Sequence, residues 1–204
     1  MKDFNLPKGC RVEKFIAKKV FIDKISKGKS KFENVEKITW LYKLSPSTLH
    51  LPKQGKIEEI HIFSLVLKSQ VYPKDAIESI KKLISYPILF HIKYEDAFCY
   101  ATYSIENTKL LFSLWNEPLN FNFNDTNLEK VYENMVKKFL NVEIQTSDMD
   151  LKMAMMIDHR VEVLTKEIEA LKKKIAKEKQ FKKQLELSKL LKPKELEVKN
   201  LIGK

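Results

Sequence analysis

Seven apolar residues, Ala154, Ile157, Val161, Leu164, Ile168, Leu171 and Ile175, recur at alternating spacings of three and four. That is a strict heptad seam, and it dictates a long amphipathic helix whose stripe needs a partner surface. Val161, Ile168 and Ile175 take the a positions while Leu164 and Leu171 take d, the side-chain choice that favours two parallel strands. A parallel dimer through residues 154–175 would set Glu167 at g against Lys172 at e of a second copy. A helix folding the same stripe back on its own sheet domain satisfies the spacing equally, so both partners stay open.

No Gly or Pro lies between Pro118 and Pro193, so nothing forces a turn in the C-terminal segment, and Ser147 is the expected N-cap. The seam lapses at Glu178 and Lys182. Apolar residues resume in a shifted phase at Phe181, Leu185 and Leu191, which assigns the two halves different partners.

Charge is unevenly spread. The formal net charge is +11, with balances of +9 over residues 1–56, −3 over 57–147 and +5 over 148–204. Clustered basic charge is the footprint of a surface that meets phosphates or an acidic partner. Lys172, Lys173, Lys174, Lys177, Lys179, Lys182 and Lys183 are the candidate nucleic-acid contacts. They surround the helix instead of lining one stripe, which argues against a membrane-surface amphipath. Only Arg11 and Arg160 accompany the lysines, so bidentate base readout is not indicated.

Upstream, "NVEKITWLYKLS" and "IEEIHIFSLVLK" alternate as strands that would pair antiparallel. Pro73 opens "KDAIESIKKLIS", a helix with Ala76, Ile77, Ile80, Leu83 and Ile84 on one face. "PILFHIKY", "AFCYATYSI" and "TKLLFSLW" follow as three more strands. A strand, helix, strand unit of this length favours a right-handed parallel crossover. Residues 17–26 read as a short basic helix stopped at Gly28, and Asp125 or Thr126 would cap a helix carrying Leu128, Val131, Tyr132, Met135 and Phe139. The expected architecture is α/β (α+β): a mixed sheet of about five strands flanked by helices over residues 1–144, and a long helical or coiled-coil extension over 145–204.

Recognisable chemistry is absent. His50, His61, His91 and His159 share no ligand spacing with one another or with Cys10 and Cys99, so no metal site is assigned and reduced buried thiols are expected. Isolated glycines form no phosphate-cradling loop, and no cofactor is expected. No long apolar run or signal-type leader occurs, which implies no membrane span and a cytoplasmic setting. One catalytic alternative remains, because the element order matches the core of restriction-endonuclease-like nucleases, in which strand acids hold a divalent cation beside a lysine. Glu58, Glu59 and Lys68 are its candidates, although Val66 stands where that triplet needs an acid, so a degenerate core without activity fits better.

The stretches "NLPKGC", "ITWLYKLSPSTLHLP", "EEIHIFSLVLK", "YPILFHIKY" and "KEKQFKKQLEL" together resemble the bacterial family called domain of unknown function 4391. That resemblance transfers no catalytic residue. It implies a setting beside helicases and DNA methyltransferases of restriction or phage-defence islands. The expected function is a non-enzymatic accessory or interaction protein of a DNA-processing system. It would use the basic helical extension to dimerise, or to bind a helicase, a methyltransferase or DNA; the alternative is a divergent metal-dependent nuclease-like domain.

Overall fold

The computed structural model describes residues 4–106, 108–140 and 151–202. The chain divides into two units, Met1–Phe139 and Leu140–Lys204. The expected boundary at 144 and the Ser147 cap lie outside the described residues.

The first unit is a mixed six-stranded sheet whose strands lie side by side in sequence order. They are β1 (Arg11–Ile16), β2 (Val35–Leu44), β3 (Ile60–Leu67), β4 (Ile88–Tyr94), β5 (Ala97–Tyr103) and β6 (Leu110–Phe112). Helices α1 (Lys19–Ile22), α2 (Gly28–Lys31), α3 (Pro46–Leu49), α4 (Lys74–Leu83) and α5 (Leu128–Lys137) complete it. β2 and β3 pair antiparallel. β3 and β4 pair parallel, with α4 as the crossover. β5 and β6 then add antiparallel.

Alternation along the strands explains the core. Ile38, Phe63, Leu65, Leu67, Phe90, Ile92, Cys99 and Ala101 share a face and pack with Phe21, Phe32, Ala76, Ile77 and Ile80. Each fully buried Ile or Phe there contributes about 1.5–3 kcal/mol. The opposite face buries Tyr42, Leu44, Ile60, Ile62, Leu89 and Tyr100. There Phe4 meets Tyr42 and Tyr100, Phe121 meets Tyr100, and Phe123 meets Phe4, all ring to ring, and the Tyr132 hydroxyl of α5 donates to the Tyr103 carbonyl at 2.7 Å.

Several expectations need correction. β1 is a sixth strand with no sequence signal: it is an edge strand, mostly exposed, and Glu13 interrupts its register at φ 49°. Residues 17–26 yield only the single turn α1, and Gly28 starts α2 instead of ending a helix. Gly28 is required by close approach, since a Cβ there would collide with the Ile22 backbone. The α5 cap is Asn127, whose Oδ1 accepts from the Lys130 amide at 2.9 Å.

The second unit is two antiparallel helices, α6 (Leu151–Lys177) and α7 (Phe181–Ile202). The uninterrupted helix expected from the lack of Gly and Pro is therefore broken at residues 178–180. Glu178 makes the break without either residue. Its carboxylate accepts from the amides of Lys179 and Gln180 at 2.9 and 3.0 Å, and its carbonyl accepts from the Gln184 side chain at 2.6 Å. Both orphaned helix ends thus gain partners. Pro193 lies inside α7 and does not end it.

Candidate nucleic-acid interface

The seam residues occupy one stripe of α6. Val161 and Leu164 are buried, while Ile157, Ile168, Leu171 and Ile175 are half-buried. On α7 the half-buried residues Gln184, Leu187, Leu191, Lys194, Val198 and Leu201 follow the same spacing of three and four. Those two stripes make the helices antiparallel neighbours. Three ion pairs fix the pairing: Arg160 with Glu197 at 2.8 Å, Lys194 with Glu167 at 2.6 Å, and Lys172 with Glu195 at 2.8 Å. Glu167 and Lys172, expected to meet across two copies, are thus both engaged by α7 of the same chain. The hydrogen bond and charge of Lys194 hold the Glu167 carboxyl below its usual range.

The break also regroups the lysines. Lys173, Lys174 and Lys177 end α6, Lys179 sits in the connection, and Lys182 and Lys183 begin α7; all are exposed. At 1.5 Å per residue they fall within roughly 10 Å of the turn along either helix. Lys174, Lys177 and Lys183 border one open hollow of about 560 Å³, with Glu178, Glu186 and Leu190. Side chains spread around one helix thereby become a basic tip contributed by two.

The alternative catalytic residues do not come together. Glu59 precedes β3 and Lys68 follows it, so about 30 Å of extended chain separates them. Glu58 stands beside Glu59 at that same far end. The convergence on one cation that the nuclease alternative requires fails for this reason. Lys68 instead lines a hollow of about 540 Å³ with Lys31, Asn34, Tyr72 and Asp75. Asn34 builds its rim by accepting from the Ser69 amide and hydroxyl at 2.9 and 2.7 Å. Among the described residues, no group of three or more His, Cys, Asp or Glu is placed to hold a metal ion. Cys10 and Cys99 are free and buried, and burial pushes the Cys99 thiol up to about 12.

Glu59 has other partners. Its carboxylate meets Lys43 Nζ at 2.6 Å and His61 Nε2 at 3.0 Å. Burial alone would raise its pKa, but the hydrogen bonds from Lys43 and His61 outweigh that and lower it. Burial, only partly offset by Glu59, lowers that of His61. Sequence reasoning missed this cluster. The i, i+2 spacing of Glu59 and His61 was visible, but Lys43 joins them only through the pairing of β2 with β3, which sets it opposite His61.

No helix among the described residues is long and apolar enough to cross a membrane. A family model described as Domain of unknown function (DUF4391) matches residues 4–197. No curated protein and no solved structure matches the chain.

Proposed function

We propose that this chain, which belongs to the DUF4391 family across residues 4–197, serves as a non-enzymatic accessory protein of a DNA-processing system. The basic tip of the α6–α7 hairpin engages nucleic-acid phosphates. One observation carries this reading: the turn at residues 178–180 gathers lysines from two helices around one end. Lysines so grouped neutralise phosphates as point charges without reading sequence.

The test is anisotropy of a labelled DNA duplex with the full-length protein over a salt series. Each phosphate contact steepens the fall of log K with log salt by about 0.9. Replacing Lys174, Lys177 and Lys183 by Ala should flatten that slope by about 2 to 3 and weaken binding similarly on unrelated sequences. Salt-insensitive binding, or an unchanged slope in the variant, would remove the proposal.

A second reading, docking to a protein partner or a second copy, is favoured by the exposure of Phe181, Leu185, Leu190 and Leu196 on α7. Light scattering of the wild type and a Phe181→Ser/Leu185→Ser variant tests it. A mass that drops in the variant would favour self-association.

A further inference from the structure

Beneath α1 and the C-terminal turn of α4, the sheet leaves a cavity of about 410 Å³ lined by Phe21, Trp40, His61, Leu83 and Tyr86, with Lys24 at its margin. That volume lies within the range of about 300–1,000 Å³ typical of small-molecule sites. Its walls are already fixed. Trp40 spends its indole N–H on the Tyr42 carbonyl at 2.9 Å. Lys81 holds the segment carrying Tyr86 by donating to the Ser85 and Tyr86 carbonyls at 3.0 and 3.4 Å. His61 neighbours two rings, 4.9 Å from Trp40 and 5.3 Å from Tyr86 between centroids.

The polar chemistry of the cavity follows from His61, which is only 7% exposed. Glu59, ionised and paired with Lys43, can only accept, so the proton of the neutral imidazole sits on Nε2. Nδ1 is then a bare acceptor. Nε2 to Glu59 is the hydrogen bond of this ring, yet no fully buried side-chain nitrogen or oxygen is left unpartnered among the described residues. Nδ1 is therefore not fully buried, and His61 is among the residues that line the cavity.

We infer that this cavity binds a flat heteroaromatic acid: a ring held between aromatic and aliphatic walls, its N–H donated to His61, and its anionic group directed to Lys24. An open, largely apolar hollow whose polar lining includes His61 and Lys24, with Ser85 and Tyr86 beside them, fits that class better than a neutral hydrocarbon, which would leave those polar groups unused.

Calorimetric titration of the full-length protein tests it with three probes: indole-3-acetate, indole, and 1-naphthylacetate, which lacks the ring N–H. Indole-3-acetate should bind saturably, and 1-naphthylacetate about fivefold more weakly for want of one hydrogen bond. Lys24→Glu should weaken indole-3-acetate by about threefold and leave indole unchanged. Val20 borders the cavity at 50% exposure, so Val20→Trp should fill it and abolish binding of all three without lowering the melting temperature. Any of three results would overturn the assignment: no saturable binding of indole-3-acetate, equal affinity for 1-naphthylacetate, or undiminished binding in Val20→Trp.

Discussion

Replacing His91 by Phe should remove a defined part of the protein's acid sensitivity. The ring is 6% exposed, stacked on Tyr100 at 5.1 Å and 18° and edge-on to Phe4 at 5.7 Å. Burial, with the charge of Lys93 adding to it, pulls the imidazole from 6.5 down to about 4. Above the unfolded value neither state holds the proton, and the ring contributes nothing to the pH dependence. As pH falls below it, the unfolded chain takes a proton that the native ring refuses, and stability drops by about 1.4 kcal/mol per unit until the native value is reached. At roughly pH 4.5 the accumulated cost is about 2.5 kcal/mol. His91→Phe keeps an aromatic ring in the stack and deletes the titration. Urea unfolding followed by tryptophan fluorescence should therefore place the variant within about 1 kcal/mol of wild type at neutral pH. At pH 4.5 that balance should move in its favour by about 2.5 kcal/mol. Carboxylates common to both proteins cancel in this comparison. A stability difference that stays the same at both pH values would refute the buried-imidazole reasoning.

Two further predictions concern the hairpin. Leu164 is 0% exposed, so Leu164→Ala should cost about 2–5 kcal/mol; hydrogen exchange of the α6 and α7 amides would register it, and unchanged protection would mean the seam is not packed. Pro193 lacks the N–H that an interior helical residue gives to the carbonyl four positions back, so Pro193→Ala should stabilise α7 by about 1–3 kcal/mol, seen as slower exchange of amides on either side of residue 193.

Strands β2 to β5 could be read from the chain because their side chains divide between two faces with a period of two. β1 could not, since "RVEKFI" buries almost nothing and a residue at positive φ interrupts its pairing. The hairpin was half-legible. The lapse of the seam at Glu178 marked the right place, but a turn made by a carboxylate capping two amides carries no Gly or Pro to announce it. The candidate interface was legible as residues and not as a surface, because the grouping of Lys174, Lys177 and Lys183 depends on that turn. Glu59 was singled out for a cation that its surroundings do not support. Its actual neighbours, Lys43 and His61, come from pairing across strands, which spacing along one chain does not encode.

The strand order carries a consequence for how the chain is made. Every strand lies beside the one synthesised just before it, and α7 folds against the helix immediately preceding it. No strand waits for a distant segment to leave the ribosome before it can pair. Loop-closure costs stay small at each step, and unpaired edges are covered in the order in which they emerge. Synthesis from the N-terminus can therefore complete the sheet strand by strand before the lysine-rich hairpin exists.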